Sequence, residues 1–383
     1  MRRDLILVAI ALMIWGVGEG LFLFFQPLYL QELGANPSEI GRILGIVGLA
    51  MTVAHLPAGY LSDRLGRKPL MVAAWILGAA SAWIMALAKD LPFFVLGSAL
   101  YGLTSFVMVP INSYLTAARG NWSVGRVITL VAVAYNTGAI LGPLLGGWLG
   151  AQSGLQRNFL LSAILFLFSS AAILFIRPQP VDAQPQQAKK GVFSGLLTTR
   201  YLIYLSITFI TMFSMFLPQP LSQNFLQNER GVNLVQMGFL ISARSLGVVG
   251  LNLVLGQLSA RLGFLLAQVA MALFALLIWQ GGWLPWYALG YFLLGGYQTA
   301  RYLAIAQSRE LISAANMGLG YGLVETFVAM AAILAPPLAG WLYDWHPPSI
   351  YYVSLILIGF TFIINLSFSQ LRSTNLDNQE EKP

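Results

Sequence analysis

The sequence has no cysteine and very little charge. Of its 383 residues, 9% are Asp, Glu, Lys or Arg and only two are histidine. The absence of cysteine excludes a disulfide framework, a thiolate metal site and a cysteine nucleophile. A charged fraction far below the roughly 25% that is usual for soluble domains excludes a water-facing surface for most of the chain. The sequence also lacks a phosphate loop and any metal-binding spacing of His and carboxylates, so we expect neither an enzyme nor a metal or other cofactor.

Apolar residues dominate instead, at 57% of the chain and a mean hydropathy of +0.73. Apolar runs of about 20 residues recur, and each is long enough to cross roughly 30 Å of hydrocarbon. The first run has no small-residue cleavage site, so we expect it to be retained as a span. The sequence therefore predicts an all-α membrane protein with twelve spans, near residues 5–30, 38–61, 69–88, 92–117, 124–150, 157–177, 201–227, 235–258, 263–281, 285–308, 317–343 and 349–370.

Basic residues are distributed unequally between the two sets of predicted loops. If both termini lie in the cytoplasm, four basic residues fall outside, namely Arg42, Lys89, Arg157 and Arg230. Fifteen then fall inside, namely Arg2, Arg3, Arg64, Arg67, Lys68, Arg119, Arg126, Arg177, Lys189, Lys190, Arg200, Arg261, Arg309, Arg372 and Lys382. This bias predicts a multi-pass protein of the cell (inner or plasma) membrane with both termini cytoplasmic. The net charge of +7 thus indicates topology, and we expect no nucleic-acid partner.

The two halves of the chain repeat each other. The segment Leu91–Gly102 aligns with Leu284–Gly295 at an offset of 193, and Gln26-Pro-Leu matches Gln219-Pro-Leu at the same offset. Pro143 and Gly147-Trp-Leu match Pro336 and Gly340-Trp-Leu in the same way. A repeat of six spans predicts two parallel, pseudo-symmetric bundles with a site between them near the midplane. We expect an N-terminal bundle at 1–177, a Pro- and Gln-rich cytoplasmic linker at 178–199, a C-terminal bundle at 200–372 and a short disordered tail at 373–383.

The loop after the second predicted span reads Gly59-Tyr-Leu-Ser-Asp63-Arg64-Leu-Gly66-Arg67-Lys68. It closely resembles the G-x-L-x-D-R-x-G-R-K signature of the major facilitator superfamily, which implies twelve helices in two six-helix bundles and transport by alternating access. In that family the element is thought to latch the cytoplasmic gate. A degenerate copy, Gly256-Gln-Leu-Ser-Ala260-Arg-Leu-Gly263, lies at an offset of 197 and has alanine in place of the aspartate, so we expect an asymmetric latch.

A second motif lies in the fifth predicted span. Gly138, Gly142, Pro143, Gly146 and Gly147 match the G-x-x-x-G-P-x-x-G-G element of the superfamily's drug:proton antiporters. Small residues four apart permit close helix packing, and the resemblance implies efflux of drug-like molecules by a monomer. Many members of that branch carry an arginine in span 4 where this chain has Ser98, so the usual route of proton coupling is not expected.

Four ionisable residues fall at membrane depth, where charge is costly and usually functional. Glu19 is a carboxylate that could exchange a proton or hold a cationic group, or it could be a structural carboxylate paired with an arginine. Arg244 could bind an anionic substrate group or pair with Glu19 as a state-dependent latch. Arg301 and Glu325 share a depth on neighbouring spans, which favours an ion pair.

Other polar residues are candidates for the cavity or the gate. His55 could belong to a pH-sensitive gate, although a local hydrogen bond near the interface is the stronger expectation. The candidates for polar cavity residues, each of which could equally bridge helices, are Tyr101, Asn112, Asn136, Gln219, Tyr297 and Gln298.

The leading hypothesis is a secondary transporter that moves a small organic solute by alternating access, with proton-coupled efflux of drug-like molecules as its activity. The expected partners are the solute, protons and the lipid bilayer. Two alternatives stay open: an organic anion transporter that uses Arg244 and Arg301, and a non-transporting membrane sensor or scaffold on the same fold.

Overall fold

A computed structural model describes residues 3–179, 198–312 and 317–380, without the side chains of 56–60, 62–63, 109, 318 and 368–380. The described chain is helical. The first half contains α1 (Arg3–Phe22), α2 (Gln26–Glu32), α3 (Pro37–Leu65), α4 (Arg67–Leu87), α5 (Leu91–Leu103), α6 (Met108–Ala118), α7 (Val124–Ser153) and α8 (Gln156–Leu174). The second half contains α9 (Thr199–Phe216), α10 (Ser222–Arg230), α11 (Leu234–Leu255), α12 (Ala260–Gln280), α13 (Leu284–Leu294), α14 (Gly296–Ser308), α15 (Met317–Trp345) and α16 (Ser349–Glu380).

Eleven stretches of the described chain are helical, long and apolar enough to cross a membrane. The one predicted span missing from these eleven is the tenth, 285–308, which consists of α13 and α14, separated at Gly295. A Cβ at Gly295 would lie 2.3 Å from the carbonyl carbon of Gly247, so α11 crosses this span too closely for any larger residue. The fourth span of the first half is interrupted in the corresponding place, by the 3₁₀ turn Thr104–Val107.

Sequence signals account for where the helices begin. Ser123 accepts a hydrogen bond from the Arg126 amide and caps α7, and Asn233 caps α11 in a capping box with Gln236. The repeated Gln-Pro pair lies where the first span of each half is interrupted, because proline lacks the amide proton that a continuous helix needs. Pro27 accordingly lies in the first turn of α2.

The structure of the C-terminal tail differs from the prediction, and most of the predicted linker lies outside the described residues. Helix α16 continues to Glu380, so residues 373–380 are helical where a disordered tail was predicted. Ser, Thr, Asn and Asp make up most of this segment and have low helix propensity, so its composition did not predict that α16 continues through it. Residues 180–197 of the predicted linker and 381–383 of the tail lie outside the described residues. The predicted domain boundaries stay predictions.

The two halves meet through two interfaces that follow the internal repeat. A Cβ at Gly238 in α11 would lie 2.4 Å from the Pro143 carbonyl oxygen and 3.2 Å from the Cα of Gly147. A Cβ at Gly41 in α3 would lie 2.3 Å from the Pro336 carbonyl oxygen and 3.1 Å from the Cα of Gly340. The paired positions correspond at the sequence offsets of 193 and 197, so one contact is repeated about a pseudo-two-fold axis. The chain therefore forms two pseudo-symmetric six-helix bundles.

Both interfaces lie toward one end of the bundle. We call this end, which holds the turns 33–36 and 346–348, the far side, and the opposite end, which holds the start of α1 and the ends of α3 and α8, the linker side. At the far side Asn224 donates a 2.8 Å hydrogen bond to Gln31, and the Ser38 amide donates a 3.0 Å hydrogen bond to Asp344. Toward the linker side, a Cβ at Gly125 or Gly322 would meet nothing within 4 Å. The halves are thus joined at the far side in this structure.

Candidate functional site

Glu19 lies on α1 in the interior of the first half and accepts hydrogen bonds rather than an ion pair. The Tyr135 hydroxyl on α7 donates a 2.6 Å hydrogen bond to Glu19 Oε2. The Tyr101 hydroxyl on α5 lies beside the same carboxylate. Two phenols from different spans therefore fix a carboxylate that has no basic partner among the described ion pairs.

Close packing of α1 on α7 positions this carboxylate. A Cβ at Gly142 would lie 2.5 Å from the Val17 carbonyl oxygen and 2.8 Å from the Cα of Gly20. A Cβ at Gly138 would lie 2.3 Å from the Met13 carbonyl oxygen. The glycines of the antiporter-type motif therefore allow the backbones of α1 and α7 to pack closely over successive helical turns. In the same motif, Pro143 and Gly147 face α11 of the other half, so the motif joins the Glu19 site to the interface between the halves.

Helix α8 supports α1 from the opposite side through small polar side chains. Ser162 donates a 2.7 Å hydrogen bond to the Gly18 carbonyl, and Ser169 donates a 2.7 Å hydrogen bond to the Ala11 carbonyl. The Trp75 indole on α4 donates to Ser169 at 2.8 Å. Since hydrogen bonds between helices hold membrane bundles together where no hydrophobic driving force acts, α1 is held on two faces.

A cavity of about 130 Å³ adjoins Glu19 and is lined by first-half residues between Leu12 and Tyr135. Its walls are mostly apolar and aromatic. Trp15 stacks on Phe166 with ring centroids 3.9 Å apart and on Tyr101 with centroids 6.1 Å apart. Met51 and Met108, which are 45% and 52% exposed, lie at its edge. An apolar aromatic cavity with few polar groups and flexible methionines suits small organic molecules of varied shape.

The other charged residues expected at membrane depth do not line this cavity. Arg301 and Glu325 form an ion pair with an Nη2–Oε2 distance of 2.6 Å, as their matched depth predicted. The Arg244 guanidinium lies 4.5 Å from the centre of the Phe24 ring and within electrostatic range of Tyr135 and Tyr291. Arg244 and Glu19 therefore approach the same tyrosine without forming one of the described ion pairs. Their expected latch is not formed in this structure.

The predicted gate loop is only partly described. Gly66 has φ of 86°, a backbone conformation that favours glycine, and begins the turn into α4. Arg67 donates a 3.0 Å hydrogen bond to Gln179, and Lys68 donates a 3.1 Å hydrogen bond to the Leu174 carbonyl. Arg64 is exposed. Gly59 and Asp63 lie among the residues whose side chains are not described. The latch role of this loop stays a prediction.

Of the predicted cavity residues, Tyr101 lines the cavity beside Glu19. Asn136 donates to the Ala132 carbonyl of its own helix at 2.8 Å, and Gln219 donates to the Met215 carbonyl at 2.9 Å. Tyr297 packs on Phe216, Gln298 donates to the Tyr302 hydroxyl at 3.0 Å, and Asn112 is exposed on α6. These five are not among the residues that line the cavity.

His55 makes a local contact at the edge of the cavity. Its Nδ1 lies 2.7 Å from the Met51 carbonyl oxygen, and Ser105 donates to the same carbonyl at 2.9 Å. This is the local hydrogen bond that the sequence favoured over a role in a gate.

Three important residues of the site were missed from the sequence. Tyr135, Trp15 and Gln26 all line the cavity, yet in the sequence the aromatics are indistinguishable from packing residues. Helical spacing offered a signal for Gln26, because it follows Glu19 by seven residues, which is close to two turns and places both on one face.

Two pseudo-symmetric six-helix bundles, one of which holds a half-buried carboxylate in its interior, define a polytopic membrane transporter fold. The model of the Major Facilitator Superfamily matches this sequence over residues 8–296 and 204–383. The chain belongs to that superfamily and is a multi-pass inner membrane protein.

Curated relatives include multidrug resistance proteins. The chain is 28% identical over 219 residues to the multidrug resistance protein MdtG of Rahnella sp., which covers 54% of this chain and 52% of that protein. It is 29% identical over 220 residues to MdtG of Proteus mirabilis, covering 54% of each. It is 28% identical over 205 residues to the inner membrane transport protein YajR of Escherichia coli, covering 50% of this chain and 45% of that protein. The matches span about half the length of these relatives.

Solved structures share the fold. The crystal structure of the nucleoside transporter NupG superposes with a TM-score of 0.78 at 14% identity, covering 97% of this chain and 99% of that one. A mutant form of NupG gives a TM-score of 0.80 at 15% identity, covering 96% and 99%. At this identity the likeness concerns the fold alone.

Proposed function

We propose that this chain is a proton-coupled exporter of small amphipathic organic molecules, in which Glu19 binds either a proton or a cationic group of the substrate. One observation carries the proposal. Glu19 lies in an aromatic cavity, is fixed by the Tyr135 hydroxyl at 2.6 Å and has no basic partner among the described ion pairs. A half-buried carboxylate at membrane depth, with no arginine partner among the described ion pairs, is suited to exchange one cation for another.

The mechanism follows from competition for this carboxylate. From the linker side, a cationic amphipathic molecule enters past Met51 and Met108 and displaces the proton of Glu19. When the halves close at the linker side and part at the far side, a proton from the outside replaces the substrate on the carboxylate. A proton gradient can drive export when proton and substrate exclude each other from the site, and one carboxylate that binds either of them meets that condition.

The multidrug relatives and the antiporter-type motif on α7 support export over uptake. In the same proposal the linker side is cytoplasmic, as the distribution of basic residues predicts, and the chain acts as a monomer. We also propose that the chain has no enzymatic activity.

The test is transport by purified protein in proteoliposomes with an imposed pH difference. Ethidium serves as a cationic dye and fluorescein as an organic anion. We expect pH-driven movement of ethidium by the unmodified protein and its loss in Glu19→Gln, which keeps the shape and the hydrogen-bond acceptor. The matched control is Glu325→Gln, which removes a membrane-depth carboxylate outside the cavity. Retention of pH-driven ethidium transport by Glu19→Gln would contradict the proposal.

A second candidate, transport of organic anions, is favoured by one observation. Arg244 lies over Phe24 near Tyr135, and none of the described ion pairs joins it to a carboxylate. In that case fluorescein is the transported probe, and Arg244→Ala is more damaging than Glu19→Gln. Arg301 is the weaker anion site, because Glu325 already neutralises it.

A further inference from the structure

A second polar group faces the Glu19 cavity without a partner. Gln26 lines the cavity and is 3% exposed, and its amide nitrogen has no hydrogen-bond partner among the described residues. A buried amide N–H that donates to nothing is costly, and native proteins satisfy such groups with protein, water or ligand. Gln26 therefore lies in the wall of a cavity, and an acceptor there that reaches its buried amide nitrogen would be stabilised.

The internal repeat provides a direct comparison. Gln219 occupies the position of Gln26 in the second half, in the same Gln-Pro-Leu motif. Its amide donates a 2.9 Å hydrogen bond to the Met215 carbonyl at the end of the preceding helix α9, and it does not line the cavity. In the second half the glutamine of this motif thus donates a hydrogen bond to nearby backbone. In the first half the glutamine lines the cavity and its amide nitrogen has no partner among the described residues.

The spacing of the two polar groups sets the length of a ligand that reaches both. Gln26 follows Glu19 by seven residues across the 3₁₀ turn Leu23–Phe25, which corresponds to roughly 10–12 Å along the span. Phe22 and Tyr101 line the wall of the same cavity, and their rings pack edge to face with centroids 5.0 Å apart. The cavity therefore presents a carboxylate, an apolar aromatic wall and an amide donor in that order.

We propose that Glu19 and Gln26 are the two polar ends of one elongated binding site, and that its ligands carry a protonated amine at one end and a carbonyl-type acceptor at the other. The amine meets the carboxylate, and the acceptor receives the Gln26 N–H. Gln26 is on this account a specificity-determining residue. The inference rests on the proposed function for the role of Glu19 as a cation site.

Two probe amines test the site by equilibrium binding to the full-length protein in detergent. One is a dimethylaminoheptyl phenyl ketone, whose carbonyl lies about 10 Å from the amine when extended, to match the spacing of Glu19 and Gln26. The other is the same amine with CH₂ in place of the carbonyl. Quenching of tryptophan fluorescence reports binding, because Trp15 and Trp75 line the cavity.

We expect Gln26→Met, which keeps the volume and removes the donor, to weaken binding of the ketone about tenfold, the effect of one buried hydrogen bond. Binding of the ketone-free amine should not change, which also shows that the variant folds. Gln219→Met, the matched control, should leave the preference for the ketone unchanged. Glu19→Gln should weaken both probes.

Equal effects of Gln26→Met on the two probes, no effect on either, or no binding of either probe by the unmodified protein would overturn the inference. The proposed function fails separately, if Glu19→Gln retains pH-driven transport, because the binding measurement involves no gradient. A preference for the ketone that depends on Gln26 would survive that failure as a property of the cavity.

Discussion

The Tyr135 hydroxyl donates a 2.6 Å hydrogen bond to Glu19 and thereby ties α7 to α1 at the polar centre of the first half. The hydroxyl keeps the carboxylate in one orientation, and the phenol ring fills part of the cavity wall. Hydrogen bonds to charged groups contribute about 1.5–3 kcal/mol, so this single contact has a measurable effect on how the site binds a cation.

Tyr135→Phe should therefore lower the rate of pH-driven ethidium transport by about tenfold or more, since 1.4 kcal/mol corresponds to a factor of ten. The ring stays in place, so the fold should be kept. Tyr287→Phe is the matched control, because its hydroxyl donates a 2.7 Å hydrogen bond to the Gly281 carbonyl far from the cavity. An unchanged rate in Tyr135→Phe, or an equal loss in both variants, would contradict the role assigned to Tyr135.

Packing between α1 and α7 gives a second prediction. A Cβ at Gly142 would lie 2.5 Å from a backbone oxygen that cannot move aside without shifting α1. We expect Gly142→Ala to destabilise the protein by about 1–3 kcal/mol, the usual cost of overpacking, and to lower its melting temperature in detergent. Gly125→Ala on the same helix, where nothing lies within 4 Å, should leave the melting temperature unchanged or raise it. Equal effects at the two positions would show that the close approach is not what matters.

The far-side interface can be tested by cysteine labelling, since the natural chain contains no cysteine. Gly238→Val and Gly41→Val would each place a side chain against backbone of the opposite half, and the population should shift toward the state that is open at the far side. A single cysteine introduced at Asn224, which is 1% exposed, should then react faster with a water-soluble maleimide. The control is the same cysteine with Gly359→Val, where an added Cβ has open space. No change in the labelling rate with either interface variant would contradict the gating role of these glycines.

The structural role of the ion pair between Arg301 and Glu325 can be tested by exchanging the two charged residues. Their side chains are 39% and 34% exposed, so solvent screening limits the stabilisation to about 1 kcal/mol or less. Glu325→Gln should lower the melting temperature slightly, and the double variant R301E/E325R should recover both stability and transport. If the swap restored stability but abolished transport of fluorescein, Arg301 would be a substrate ligand rather than half of a structural pair.

Much of the fold was predictable because the membrane restricts what a span can be. The twelve spans and the repeat at an offset of 193 follow from apolar length and from Pro and Gly positions. The interruption of the tenth span at Gly295 was not predicted, because it depends on how closely α11 crosses there. The ion pair between Arg301 and Glu325 was predictable from matched depth, since the two helices are neighbours.

The site was less predictable, because depth along a helix does not fix which way a side chain points. Glu19 and Arg244 have similar predicted depths, yet each contacts aromatic residues instead of the other. Tyr135 and Trp15 were missed because an aromatic residue in a membrane helix has the same sequence signal whether it packs or lines a cavity. Gln219 was a candidate for the cavity, but its amide donates to the Met215 carbonyl at the end of α9. Only the backbone geometry reveals this contact.

The central claim is that one carboxylate, Glu19, exchanges a proton for the substrate. Calorimetric titration of the protein with ethidium, in buffers that differ in their enthalpy of ionisation, counts the protons released on binding. At a pH where Glu19 is protonated, the unmodified protein should release about one proton per dye bound, because binding and protonation compete for the same group. Glu19→Gln should release none. Equal proton release by the two proteins would contradict the claim.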